Sequence, residues 1–340
     1  MWCCANCIDD GHLRRQVIPA LSKIRGTCSY CGSENQALIK PIELREHFEL
    51  LISVYKLNDQ GKSLVEWLKT DWAMFSHDRM DAAHAKELLA EILDDGDMVR
   101  HCYVPIQESQ SIAVRHGEEL RVELMHANRF FPKTEINLDR LARLLPFLLM
   151  EDIDIPLQWS RARIQQGIQA YQIDEMGAPP RHLASHGRAN PAGIPYLYLA
   201  SNVLTAISEI RPNTGETVCV ASFEIPTGLK IVDLRHPRRT VSPFILEDEN
   251  EVALLRGDIE FLEKLGEELT RPVLPKSAAF DYIPSQYLCE YAKRCGFDGV
   301  MYRSSVGDGI NIALFDPTKA HTLNVVQHRV ERVSVIIAAT

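Results

Sequence analysis

At 340 residues, with 46% hydrophobic and 24% charged side chains, the chain has the balance of an ordinary globular protein and exceeds one average core, so two or three domains are expected. A formal net charge of -9 argues against a groove for duplex nucleic acid, because neutralising phosphates takes a basic surface. No apolar run reaches the roughly 18 residues a membrane helix needs; the most apolar segment, LARLLPFLLM at 141–150, contains Pro146 and Arg143.

The N-terminus, MWCCANCIDDG, lacks the basic-then-apolar layout of a signal peptide, which points to a reducing cytoplasm for the nine cysteines. CANC (Cys4, Cys7) and CSYC (Cys28, Cys31) are two CxxC pairs separated by twenty residues. Two such knuckles supply the four thiolates of a structural zinc, and Gly32 suits the tight turn after the second pair. Cys3 is an adjacent spare, and His12 is a weaker ligand candidate. Residues 1–40 carry five Lys/Arg against three acids, a surplus too small to favour a nucleic-acid reader over a structural or docking ribbon.

From 41 to 150 the periodicity is mostly helical. In IELREHFELLISVYK, Ile42, Phe48, Leu51, Ile52 and Tyr55 fit one helix face. AAHAKELLAEILDDGD reads as a helix stopping at Gly96, and INLDRLARLLPFLL as one kinked or ended by Pro146. No nucleophile–base constellation stands out here. The R-x4-H spacing of Arg79 and His84 recurs at Arg121–His126 and Arg181–His186, which marks it as chance.

After EDIDIPLQ the register changes. WSRARI reads as a strand bearing Arg161 and Arg163, and the 24 residues from Gln172, QIDEMGAPPRHLASHGRANPAGIP, hold seven Gly or Pro. Long structureless loops in compact domains are usually functional or disordered. GRANP places Arg188 at the rim of a backbone that can approach a ligand closely, and YLYLA reads as a buried strand bearing Tyr198. Ser201 is a candidate N-cap for a two-turn helix over NVLTAISEI, with Val203, Ala206, Ile207 and Ile210 as its packed stripe and Glu209 at the edge. Strands at TVCVASFEI and LKIVDLR, an acidic amphipathic helix around 251–269, a helix in DYIPSQYLCEYAKRCGFDG, strands at VMYRSS and NIALFDP, and a terminal apolar stretch complete a mixed α+β domain. Arg188 also reads as a solvated loop residue, Tyr198 as core, Glu209 as a solvated helix edge and Ser304 as a turn cap; their order is what raises them.

An arginine, a tyrosine ten residues on, a glutamate eleven after that and a distal serine after a Y-x-S turn form an order that resembles the RES family. GRANPAGIPYLYLA, TAISEI, DYIPSQ and GFDGVMYRSS carry the resemblance, which spans about 155–320; the N-terminal third looks more loosely like the zinc-binding segment ahead of RES domains in longer members. The resemblance implies an ADP-ribosyltransferase-like fold acting on NAD+, in toxins of bacterial toxin–antitoxin pairs. It assigns the site to Arg188, Tyr198, Glu209 and Ser304, with Arg161, Arg163 and Asn311 as substrate-binding candidates. The expected organisation is a zinc ribbon at 1–40, a helical domain at 41–150 and a RES domain at 151–340. The expected activity is cleavage of the nicotinamide–ribose bond by hydrolysis or phosphorolysis. A protein ADP-ribosyltransferase and a zinc-ribbon protein that binds nucleic acid or a partner are the alternatives. Expected partners are NAD+, an antitoxin or other regulatory protein, and a second copy of the chain in a homo-oligomer, with no membrane.

Overall fold

Two CxxC pairs become one cluster only if the backbone turns sharply after each. The computed structural model describes residues 1–106, 112–134, 136–149, 156, 158–274 and 276–334. In it, the one-turn helix Ala5–Ile8 ends at Asp9 in the left-handed region (φ 63°), and Gly32 (φ 69°) turns the chain after Cys31. Strands β1 (Ile24–Gly26) and β2 (Gln36–Leu38) pair antiparallel, with Ile24 opposite Leu38, to frame the ribbon.

The chain forms two compact units: Met1–Gly117 with His236–Glu263, and Glu118–Arg235 with Lys264–Thr340. These differ from the segments 1–40, 41–150 and 151–340. The reason is a set of contacts with no periodic signature. Phe244 packs on Phe48 with ring centroids 5.1 Å apart, and Ser242 Oγ donates to the buried Asp10 carboxylate at 2.9 Å. Arg238 clasps Glu263 through two hydrogen bonds of 3.0 and 2.5 Å and donates to the Asp71 carbonyl at 2.8 Å. Residues 236–263 therefore pack with the N-terminal residues.

Of the helices read at 41–150, Ala82–Leu93 is capped by Asp81, whose carboxylate accepts from Ala83 and His84 N–H at 2.9 Å each. It stops at Asp94 in the left-handed region (φ 52°), two residues before Gly96. IELREHFELLISVYK is not one helix. A 3-10 turn Pro41–Leu44 leads into the helix Arg45–Ile52, and the chain then enters β3 (Tyr55–Ser63), which pairs with β4 (Cys102–Pro105). Phe48, Leu51 and Ile52 are buried, but Ile42 is exposed on the 3-10 turn and Tyr55 lies on the strand. Near Pro146, the helix Leu138–Leu144 tightens into the 3-10 turn Leu145–Leu148, since proline has no N–H to extend the α ladder.

The second unit is α+β, as expected for the C-terminal half. Its strands are β5 (Gln158–Ile164), β6 (Leu197–Ala200), β7 (Thr217–Glu224), β8 (Ile231–Asp233), β9 (Gly299–Arg303), β10 (Ile310–Leu314) and β11 (His321–Arg329). They form one seven-stranded mixed sheet in the order β11-β7-β5-β6-β10-β9-β8, with only β8–β9 parallel. On one face Trp159, Leu199, Ala221, Phe223, Ile312 and Leu314 form the main core. On the other, Ala162, Ala200, Val218 and Val220 pack against Ala206 of the helix Val203–Glu209. Trp159 is fully buried, and truncating it to alanine would cost about 3–5 kcal/mol. Residues 335–340 of the terminal apolar stretch, and 150–155 before β5, lie outside the described residues. No helix among the described residues is long and apolar enough to cross a membrane.

Candidate active site

Where β6 ends, the chain turns into the helix Val203–Glu209, and the cap is Asn202 rather than Ser201. Asn202 Oδ1 accepts from Thr205 N–H at 2.8 Å. Ser201 is claimed by β10 instead: its N–H donates to the Ile310 carbonyl at 2.9 Å and its Oγ accepts from Ile310 N–H at 3.1 Å. Thr205 and Ala206 are the buried residues of this helix, while Val203 and Leu204 face outward, so the packed stripe is narrower than periodicity implied.

Glu209 is the last residue of that helix and is half-buried. Its Oε1 accepts two hydrogen bonds, from Ser304 Oγ at 2.7 Å and from Asn311 Nδ2 at 2.6 Å. Ser304 sits just past β9, where its N–H donates to the Gly309 carbonyl at 3.0 Å and closes the turn into β10. Asn311 lies on β10, opposite Ala200 of β6 and Tyr302 of β9, and is only 5% exposed. Two strands and a helix end thus fix one carboxylate, which is what a group opposing a developing cation needs.

Arg188 comes from the loop before β6. Its Nη1 donates to the Arg271 carbonyl at 2.7 Å, its Nη2 to Ser305 Oγ at 2.9 Å, and its guanidinium lies over the Tyr282 ring at 5.5 Å. Tyr198, on β6, donates its hydroxyl to Asn190 Oδ1 at 2.7 Å and accepts from Ala189 N–H at 3.0 Å. A Cβ on Gly187 would overlap both Asn190 Oδ1 and Tyr198 Oη, so this glycine is required by close approach.

The two early arginines part company. β5 and β6 pair only at Ser160–Ala200, and beyond that point Arg161 Nη1 donates to the Tyr198 carbonyl at 3.0 Å, taking the place of a ladder N–H. Arg163 donates to the Glu175 carbonyl and lies over the Tyr171 ring at 4.8 Å, and it is not among the residues lining the cavity described next.

Arg161, Arg188, Tyr198, Glu209 and Asn311 line one open cavity of about 280 Å³, together with Tyr282, Tyr302 and His186. Ser304 reaches it through Glu209. Burial, with the neighbouring Arg163 charge, lowers the Arg161 guanidinium to about 10, which still leaves it charged at neutral pH. Burial raises the Tyr198 and Tyr302 hydroxyls well clear of neutrality, so both stay protonated. The arrangement is a pocket with two cations, one anchored carboxylate and three aromatic faces. Tyr282 and Tyr302 were not singled out from sequence, although they are the tyrosines of DYIPSQ and YRSS; nothing in their spacing says that their rings turn to the same cavity.

In the first unit, Cys4, Cys7, Cys28 and Cys31 are all buried and their Sγ atoms lie within 4.8 Å of one another. Cys4 and Cys31 are 3.5 Å apart, and Cys7 and Cys28 are 3.2 Å apart. Tetrahedral zinc with Zn–S of about 2.3 Å needs sulfurs about 3.8 Å apart, so the set fits and could hold a metal ion. Cys3 is buried too, but its backbone bridges to Ile39 and it stands outside the group, as does His12.

Among solved structures, one chain of the M. tuberculosis MbcT–MbcA toxin–antitoxin complex is similar at 14% identity, over 56% of this chain and 92% of that one, with a TM-score of 0.32. A search of curated proteins finds no match. The RES domain model matches residues 161–335, the stretch holding every cavity-lining residue named above, and the chain belongs to the RES-domain family.

Proposed function

We propose that the chain cleaves the glycosidic bond between nicotinamide and ribose in NAD+, releasing nicotinamide and transferring ADP-ribose to water or phosphate. The observation that carries this reading is Glu209, held by Ser304 and Asn311 at the wall of a cavity that also presents Arg161, Arg188 and three tyrosines. The leaving nicotinamide is already cationic in NAD+ and departs neutral, so no general acid is required. What the reaction demands is a clamp for the pyrophosphate and a negative charge near the oxocarbenium-like transition state. The planar fork of Arg188 suits phosphate oxygens, and the Tyr282 ring gives it a surface to rest over. Glu209 accepts from ribose hydroxyls and favours positive charge at the anomeric carbon. With water as acceptor, NAD+ and H2O give nicotinamide, ADP-ribose and a proton; with phosphate the product is ADP-ribose-1″-phosphate.

The reading extends to a toxin-like role, in which NAD+ depletion is restrained by a separate antitoxin or regulatory protein, and to a structural zinc held by Cys4, Cys7, Cys28 and Cys31. Both extensions rest on the RES resemblance, the second also on the fit of the four sulfurs.

The test is incubation of the purified chain with NAD+, with and without phosphate, followed by mass spectrometry, with Glu209→Ala as control. Nicotinamide with ADP-ribose, or with its 1″-phosphate, is expected. Label from NAD+ appearing on a polypeptide would move the reading to protein ADP-ribosylation, and intact NAD+ would overturn it.

A further inference from the structure

Arg188 stands on a loop between the 3-10 turn Arg181–Leu183 and β6, where no ladder or helix fixes its direction. Something else must hold that backbone if the guanidinium is to be a clamp rather than a swinging charge. We infer that Ser285 and Gln286, in the first turn of the helix Ile283–Arg294, are the positioning residues for Arg188; the inference rests on the proposed NAD+ cleavage.

Ser285 Oγ donates to the carbonyl of Arg188 itself at 2.6 Å. Gln286 Nε2 donates to the carbonyls of Gly187 at 2.9 Å and Asn190 at 3.0 Å, on either side of it. Both side chains are buried, at 1% and 7% exposure, and among the described residues their hydrogen bonds to other segments go to this loop. Buried polar groups are kept only where their hydrogen bonds are made, so these two side chains and the loop fix one another. The loop closes on itself as well: Gly187 N–H donates to the Asn190 carbonyl at 3.0 Å, and the Tyr198 hydroxyl ties Ala189 to Asn190.

The same turn of chain also supplies Tyr282, the ring under the guanidinium, three residues ahead of Ser285. One short segment, DYIPSQ, therefore sets both the backbone from which Arg188 springs and the surface on which its head rests. Arg188 acts on the pyrophosphate, away from the bond that breaks, so losing its placement weakens binding of the ground state and transition state alike. That raises KM and spares kcat.

The experiment uses the full chain with Ser285→Ala and Gln286→Glu. The first removes one donor; the second keeps the shape but cannot donate to two carbonyls. Each variant is checked for a cooperative thermal unfolding transition, then assayed for kcat and KM with NAD+. One lost hydrogen bond predicts KM raised about fivefold to tenfold with kcat within about threefold. A purely structural role would instead lower the amount of active enzyme, reducing apparent kcat at unchanged KM. That pattern, or wild-type kinetics in both variants, would overturn the positioning role while wild-type turnover keeps the reading of the site. No NAD+ turnover by the wild-type chain would overturn both.

Discussion

Glu209→Gln separates the charge of the site from its architecture. In the wild-type chain Oε1 of Glu209 accepts from Ser304 Oγ at 2.7 Å and from Asn311 Nδ2 at 2.6 Å. A glutamine places its own carbonyl oxygen at the same point, so both donors keep their acceptor and the buried Asn311 is not orphaned. The fold should not notice: the thermal midpoint stays within a few degrees, as for a half-exposed site that loses no packing. What disappears is the negative charge facing the cavity. Removing one preorganised electrostatic group of this kind costs about 2.7–4 kcal/mol of transition-state stabilisation, a fall of roughly a hundredfold to a thousandfold in kcat.

Ser304→Ala gives the internal scale. It removes one of two donors to the carboxylate but leaves the charge, so the loss should be about tenfold, the worth of one hydrogen bond. The assay is nicotinamide release from NAD+ at saturating substrate, with circular dichroism for folding. A folded Glu209→Gln variant that keeps kcat within threefold of wild type, or one less impaired than Ser304→Ala, would refute the assignment of the carboxylate as the charge that matters.

Metal analysis of the purified chain should find one zinc, and Cys28→Ser or a strong chelator should lower the unfolding temperature, because losing a ligand or the ion removes the metal-binding free energy that adds to folding. No metal and no chelator effect would remove the zinc assignment. Gly187→Ala forces a methyl into Asn190 Oδ1 and Tyr198 Oη, so it should cost about 1–3 kcal/mol of stability and raise KM; an unchanged protein would contradict the close approach. Glu123 accepts from the N–H groups of Lys133 at 2.7 Å and Thr134 at 2.8 Å, which lowers its pKa below the ordinary 4.5. Its contribution is fully present above the unfolded value and is lost as pH falls through the lowered folded value. Glu123→Gln should therefore unfold earlier at pH 7, with the difference vanishing in acid; a difference that persists unchanged in acid would rule out the linkage.

Sequence reading succeeded where apolar residues and breakers marked the element. YLYLA between prolines and a capped helix became β6, and WSRARI became β5. It failed where an element has no apolar side. In β3, Lys56 to Gln60 are exposed without a break, so its residues show neither alternation nor helical spacing; helical periodicity runs on through Tyr55 and Lys56, and nothing in the rest of the segment marks a strand. The cap falls one residue past the expected Ser201 for another reason: Asn202 can cap as well, and β10 engages Ser201 from more than a hundred positions away. Arg161 and Arg163 look equivalent two residues apart on one strand. Only the parting of β5 from β6 after a single pair sends one to the cavity and leaves the other on Tyr171.

The sheet register explains why core and site could be read from the same letters. Asn311 faces Ala200 on one neighbour and Tyr302 on the other, while Tyr198 faces Ala313. Directly opposed residues share a face, so Tyr198, Ala200, Tyr302 and Asn311 all point to the side of the helix that ends in Glu209. Their strand neighbours Leu197, Leu199, Met301 and Ile312 point the other way, into the main core. A slip of one residue in β10 would exchange Asn311 for Ile312, burying an amide in the core and opposing an isobutyl-sized side chain to the Glu209 carboxylate. The burial of the apolar set therefore enforces the placement of the polar set. Glu209 itself lies on a helix rather than a strand, where register does not fix it, and two hydrogen bonds from Ser304 and Asn311 hold it in place instead.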